Sequence, residues 1–323
     1  MRLFDDTLLL SASDLTKFIG CSHATTLDLA YLRGGGPEPS ADTEDAELLQ
    51  KYGFEHEEKY LEKLKAAGRN ILSLDSSNLA AASIATRDAM RAGVDVIYQG
   101  ALLQDGWGGW ADFIERVETP SDLGAYSYEV VDTKLKRSVH PTHVLQLSLY
   151  SELIGAIQGR RPVYAHVELG NGERETLRLT EYAAYAQHTR QRLANFVADP
   201  QPTRPVPCSD CALCRWSEHC TDIWTKEDSL TNVANITRGQ IKKLEASGVK
   251  TLEALARHAG PVRGMLEPTF LKLKTQARLQ QERKTGEPSF ELRPLQEGKG
   301  FALLPEPQEG DLFYDIEGDP YYP

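Results

Sequence analysis

Hydrophobic positions recur at helical spacing through the opening segment SASDLTKFIGCSHATTLDLAYL, where Leu15, Phe18 and Ile19 share a face and Ser13 is a candidate N-cap. Two short helices around Cys21 are predicted. A Gly-rich loop follows, then an amphipathic helix over residues 43–66 that closes at Gly68. A short strand near 70–74 and an Ala-rich helix near 79–92 precede a change of period. Residues 94–103, 109–118 and 126–134 are β-like stretches separated by turn residues. The pattern returns to helix over 141–157, with Pro141 in the first turn. It is strand-like at 162–169 and 176–180, and helical near 181–197. This order predicts an α/β domain with a mixed central β-sheet flanked by helices. Beyond residue 225 two short helices meet at Ser247-Gly248-Val249, and a third helix follows near 264–284. A Pro/Glu/Gly-rich linker over 286–310 leads to a last strand, DLFYDIEGDP. No tandem repeat is visible.

Composition changes this picture in two places. The chain has 323 residues, 41% of them hydrophobic, enough for a large core. No run of eighteen apolar residues predicts a membrane span, and the N-terminus has no signal-peptide pattern, so a cytoplasmic protein is expected. A net charge of −11 argues against holding nucleic acid by bulk charge. The charge is uneven, however. Residues 38–63 hold nine acids against three lysines, whereas 238–284 hold eleven Lys/Arg against four Glu. The basic segment is either a DNA-contacting surface or a solvated helix face.

The sharpest chemical signal is GGWADFI followed by YEVVDTKL. Residues two apart on a strand share a face, so Asp132 and Lys134 point the same way. Asp112 lies in the preceding strand, with Trp110 and Ile114 on its own face. An acid there is costly without a partner. Two converging carboxylates call for a hard cation, Mg²⁺ or Mn²⁺. Lys134 beside them would orient or help deprotonate a water and steady developing phosphate charge. A bare D-x-K is also an ordinary strand ion pair. Here the strand is apolar on both faces, as a central strand is, and a helix bearing Gln146 and Tyr150 follows.

These elements resemble the RecB-like branch of the PD-(D/E)xK nucleases. Gly109-Trp110-Ala111-Asp112 matches the family's G-x-x-D strand, Asp132-Thr133-Lys134 its D/E-x-K element, and Gln146 to Tyr150 its Q-x-x-x-Y helix. Gly53-Phe54-Glu55-His56 matches an upstream glycine–histidine element. The resemblance implies a restriction-endonuclease-like core. It implies a metal held by His56, Asp112, Asp132 and the Thr133 carbonyl, with Gln146 and Tyr150 on the DNA strand. Glu57, next to His56, is a substitute ligand.

Five cysteines occur, four of them at 208, 211, 214 and 220. That clustering reads as metal binding, and four thiolates suit Zn²⁺ or a [4Fe–4S] cluster equally on softness alone. The sequence resembles AddB-type nucleases, in which one early cysteine joins a later C-x2-C-x5-C. The resemblance implies a [4Fe–4S] cluster on Cys21, Cys211, Cys214 and Cys220 that closes the nuclease domain. Cys208 is the departure from that pattern, a spare thiol or a competing ligand.

The opening segment also resembles a subgroup of bacterial RecB-like nucleases, and the likeness covers residues 8–225. Four regions are therefore expected. Residues 1–225 form a nuclease domain, and 226–285 a small helical module of helix–hairpin–helix type. Residues 286–310 are a linker, and 311–323 resemble the first strand of an RNase H-like exonuclease domain, with Asp315 and Glu317 on one face. In the subgroup such a domain is followed by a helicase, so the chain is expected to be part of a longer protein with a helicase in the same chain or as a partner. The expected function is a metal-dependent DNA nuclease in repair, recombination or foreign-DNA processing. The rival is a non-catalytic DNA-binding or interaction module with a structural four-cysteine metal site.

Overall fold

The computed structural model describes residues 1–75 and 77–316, apart from the side chain of Thr285. Glu317 and the Gly-Asp-Pro that follows it lie outside the described residues. The chain divides into two units, Met1–His219 and Cys220–Pro323.

The first unit opens with a hairpin of β1 (Arg2–Phe4) and β2 (Thr7–Leu9), which the sequence pattern did not reveal. Its turn residues Asp5 and Asp6 take φ of 47° and 58°, as short Asp-rich hairpin turns do. Helices α1 (Ala12–Gly20) and α2 (Ser22–Leu32) flank Cys21 as expected. The α1 cap is Ser11, not Ser13. Asp14 stands three residues on and completes a reciprocal capping box with Ser11, which places Ser13 inside the first turn. Leu15 and Phe18 are buried, and Ile19 packs against the same core.

The remaining elements are α3 (Glu44–Ala66), β3 (Ile71–Ser73), α4 (Leu79–Ala92), β4 (Val96–Gln104), β5 (Trp107–Val117), β6 (Ser127–Lys134), α5 (Pro141–Gln158), β7 (Tyr164–Leu169), β8 (Arg174–Arg178) and α6 (Ala183–Ala198). Strands β3 to β8 form one six-stranded sheet in sequential order. Pairs β3–β4 and β6–β7 are parallel and the other three are antiparallel, so the sheet is mixed. Its two faces are covered differently. Val130, Ile114 and Tyr128 join the core with α5, while Val131 and Phe113 pack with Tyr60 and Leu61 of α3. Strand β6 is apolar on both faces because both are covered.

A buried carboxylate ties the first helices to the cysteine-bearing loop. Asp28 of α2 is 3% exposed. It accepts from Lys17 Nζ at 2.7 Å, from Arg215 Nε at 3.1 Å and Nη2 at 2.5 Å, and from Trp216 Nε1 at 2.8 Å. Burial alone would push its carboxyl above the usual range. Lys17, Arg215 and Trp216 outweigh burial and hold the carboxyl below its usual range.

In the second unit, α7 (Ser217–Lys226) runs across the boundary between the units. It is followed by α8 (Arg238–Ala246), α9 (Leu252–Arg257) and α10 (Glu267–Thr285), packed on a core of Leu244, Leu252, Leu255, Phe270 and Leu273. Asp228 receives Glu253 N at 2.8 Å and pairs with Lys284 Nζ at 2.6 Å, which links α9 to the end of α10. Of the expected strand over 311–323, only residues 311–316 are described, and they are not paired. Asp311–Ile316 carry no strand pairing, and Leu312 and Phe313 are 92% and 100% exposed. A strand needs a partner for its backbone groups, and none of the described strands pairs with this segment.

Asp28→Ala is expected to cost about 1–3 kcal/mol, because it leaves the buried Trp216 indole N–H without its acceptor while Lys17 and Arg215 can turn to water. Urea unfolding of the parent and variant checks this. The Asp28 value is depressed in the fold, so its contribution is full above the unfolded carboxylate value near ~3.9 and is lost as pH falls through the folded value. The gap between parent and variant should therefore close only in acid.

Candidate active site

The two carboxylates picked out by sequence meet on neighbouring strands. Strands β5 and β6 pair antiparallel with Phe113 opposite Val131. Asp112 Oδ2 accepts the backbone N–H of Thr133 at 3.1 Å and the Thr133 hydroxyl at 3.3 Å. Asp132, one residue back, is 2% exposed. Its Oδ1 accepts from Gln146 Nε2 at 2.8 Å. Its Oδ2 is buried without a hydrogen bond and lies 2.6 Å from Lys134 Nζ, in ionic contact.

The electrostatics follow from that packing. Burial first, then the nearby Asp112 charge, pushes the Asp132 carboxyl well above the usual range, against the pull of Lys134. Burial alone would lower the Lys134 ammonium. Asp132 and Asp112, helped by Glu57, outweigh it and hold the amine in its charged form. Lys134 is therefore held as a cation by its acidic neighbours.

Sequence reasoning ranked Glu57 below His56, and the structure ties Glu57 into the cluster. Glu57 of α3 is 8% exposed. Burial, then Asp112, raises its carboxyl, while hydrogen bonds from Tyr98 and Gln99 and the charge of Lys134 lower it. Gln99 takes φ of 54° and donates its amide to Glu57. The ladder is interrupted there: Tyr98 pairs with Phe113 and Gly100 with Ala111, leaving Gln99 and Asp112 unmatched between them. Left-handed backbone at a non-glycine is costly and concentrates at functional sites. The signal was present as Gly100 inside an apolar strand, since a glycine in a strand interior marks a local break in its packing.

His56, on the same helix, has its Nε2 3.1 Å from the backbone oxygen of Glu168. Glu168 is the β7 partner of Thr133 in register, so His56 lies over the strand next to Thr133. Tyr150 is 6% exposed. A Cβ on Gly109 would stand 2.7 Å from the Tyr150 hydroxyl, so the glycine of the G-x-x-D element is what lets Tyr150 close over β5. Burial, then Asp112 and Asp132, raises the Tyr150 phenol. Gln146 thus holds the Asp132 carboxylate directly, and Tyr150 lies within electrostatic reach of both acids. His143, one turn before Gln146, is pushed down to about 4 by burial, then by Lys134 and Lys136, and is neutral.

Among the described residues, no three His, Cys, Asp or Glu side chains stand close enough together to make a complete metal-holding group. Mg²⁺ does not need one, because it keeps several waters and takes one or two carboxylates plus substrate phosphate. The buried Asp132 carboxylate beside Asp112, only partly offset by Lys134, fits that mode of binding.

The cysteines divide between the units. Cys21 caps α2, its Sγ accepting from Ala24 N at 3.4 Å. Cys208 Sγ lies 3.7 Å from Cys211 Sγ. Burial, then Cys208 and Cys214, raises the Cys21 thiol against two backbone hydrogen bonds, and burial, then Cys208 and Cys21, carries Cys211 up to about 11. Cys21 thus lies within electrostatic reach of Cys208, Cys211 and Cys214. Cys220 is on α7 in the second unit.

The model of the PD-(D/E)XK nuclease superfamily matches residues 27–221. No curated protein matches the chain. A solved protein described as the crystal structure of SSO0001 aligns at 15% identity and a TM-score of 0.30, covering 66% of this chain and 86% of that one, too distant a likeness to carry argument. The family match spans more than half of the chain and takes in Asp112, Asp132, Lys134, Gln146 and Tyr150, the residues the fold brings together. The chain belongs to the PD-(D/E)XK nuclease superfamily.

Proposed function

We propose that the chain is a metal-dependent deoxyribonuclease of the RecB-like kind, hydrolysing phosphodiester bonds in DNA repair, recombination or the processing of foreign DNA. The observation that carries this reading is the convergence of Asp112, Asp132 and Lys134 on one buried spot of the central strands. Asp112 and Asp132 would hold Mg²⁺ or Mn²⁺, with His56 or Glu57 completing the protein's share. The ion, when bound, supplies Lewis-acid activation of the phosphate and of the attacking water. Lys134, kept charged by its two acids, orients that water and balances charge gathering on the phosphate. Gln146 fixes the Asp132 carboxylate by its 2.8 Å bond. Tyr150 and Gly109 hold α5 against β5.

By resemblance the cysteines carry a [4Fe–4S] cluster on Cys21, Cys211, Cys214 and Cys220, although among the described residues no three of them stand within metal-holding distance. The 3.7 Å approach of Cys208 to Cys211 favours Cys208 as the rival for the fourth place. Anaerobically purified protein should be brown and lose its visible absorbance in Cys21→Ser, Cys211→Ser and Cys214→Ser. Comparison of Cys208→Ser with Cys220→Ser identifies the fourth ligand. Colourless protein with stoichiometric zinc would replace the cluster by Zn²⁺.

The nuclease reading is tested on end-labelled DNA with Mg²⁺ or Mn²⁺. The parent should cut, and Asp132→Ala and Lys134→Ala should each lose about 10²–10³-fold or more in rate. Undiminished cutting by both variants would sink the assignment. Asp132 also makes a prediction about stability. Its value is raised in the fold, so its contribution is full below the unfolded carboxylate value and is lost as pH rises through the folded one. Without divalent cation, the parent's melting temperature should fall as pH rises above the unfolded carboxylate value of ~3.9. Asp132→Asn should flatten that fall and melt higher at neutral pH.

A further inference from the structure

A cavity of about 410 Å³ opens two strands from Asp132, walled by Arg137, His140, Glu175, Tyr182 and Tyr185 over an apolar floor of Val144 and Leu177. Its place follows from the chain. Arg137 comes three residues after Lys134, within about 10 Å of it by chain length. His140 caps α5, and Glu175 of the wall pairs with Val167, which pairs in turn with Asp132, so it stands in register two strands, about 10 Å, from that carboxylate. Tyr182 caps α6 and is half-buried against the core, while Tyr185 is 44% exposed.

The lining selects its ligand. Two phenol rings and an apolar floor suit a flat aromatic body, and the volume lies in the range of small-ligand sites. Arg137 and His140 supply a cation and a ring-nitrogen donor at the side toward Lys134, where a phosphate would lie. Glu175 at the wall disfavours a phosphate inside the cavity and offers an acceptor to the exocyclic amino group of a base. A base inside a duplex cannot enter such a recess without leaving its stack.

We infer that this cavity is a nucleobase subsite, which takes an unstacked base of single-stranded DNA flanking the phosphate held at Asp112 and Asp132. The inference rests on the nuclease reading above and deepens it, because it makes the substrate a single strand. Tyr185 stacks on the base, Arg137 meets the adjoining phosphate, and the strand is led from Arg137 along the start of α5 toward Lys134. Base–aromatic stacking tolerates any sequence, so the subsite selects strandedness ahead of sequence.

The test is equilibrium binding of the full chain to a fluorescent single-stranded oligonucleotide and to the matching duplex, without added divalent cation, beside a cleavage assay with Mg²⁺. Tyr185→Ala is exposed enough to leave the fold intact, and its melting curve checks that. Its affinity for the single strand should fall by about fivefold or more, the lower range for loss of one stack. Tyr185→Phe should keep parental affinity, and duplex binding should not change in either variant. Single-strand binding by Tyr185→Ala equal to the parent's, or an equal loss on the duplex, overturns the inference. A parent that binds the single strand no better than the duplex overturns it too. The two readings fail separately. A parent that cuts DNA while Tyr185→Ala binds normally keeps the nuclease and removes the subsite. A parent that shows the Tyr185-dependent preference without cutting keeps the subsite and removes the nuclease.

Discussion

Asp132 is the constraint around which the first unit is arranged. A carboxylate with 2% exposure, in a strand bonded on both sides, pays a large desolvation cost that neighbours only partly offset. One oxygen is answered by Gln146 and the other faces Lys134 without a hydrogen bond. Asp112 adds a second negative charge from the adjacent strand, and Glu57 a third from α3. A fold optimised for stability alone would not gather three acids around one amine. The arrangement makes sense as a place kept ready for a cation, with stability given up for binding. Much nearby detail serves it: Gly109 admits Tyr150, Gln99 breaks the ladder opposite Asp112, and β6 is covered on both faces.

A second buried acid has the opposite character. Asp28 is fully answered, by Lys17, Arg215 and the Trp216 indole, and its carboxyl is held down where Asp132 is pushed up. It joins α2 to a loop almost two hundred residues later, so it closes a long stretch of chain with side chains alone. The cysteines lie along the same seam, Cys21 before α2 and Cys211 and Cys214 just ahead of Arg215. A thiolate-bound centre there would reinforce a closure that the ion pairs already make.

Much of this was legible in the sequence because periodicity and spacing carry it. Helices α3 to α6 and the sheet strands fall close to where the hydrophobic pattern puts them, and Asp132-x-Lys134 shares a face because alternate strand residues must. What was hidden lies in contacts distant in sequence or in segments too short for a period. The three-residue strands of the first hairpin show no alternation. Nothing local to Asp28 announces Arg215, and nothing local to Ser13 says that Asp14 will close a box on Ser11. Asp311–Ile316 alternates like a strand, but pairing needs a partner, and the pattern cannot supply one. His56 and Glu57 are neighbours on a helix, and only the fold shows that Glu57 shares charge with Asp112 and Lys134.

The central claim is that Asp112 and Asp132 make one divalent-cation site. Titration of the metal-free protein with Mn²⁺, followed by the loss of the free-ion electron paramagnetic resonance signal, reads it without any substrate. The account predicts saturable binding that Asp112→Asn and Asp132→Asn each weaken by about tenfold or more, as loss of a liganding carboxylate requires. Binding of undiminished affinity in both variants would contradict it.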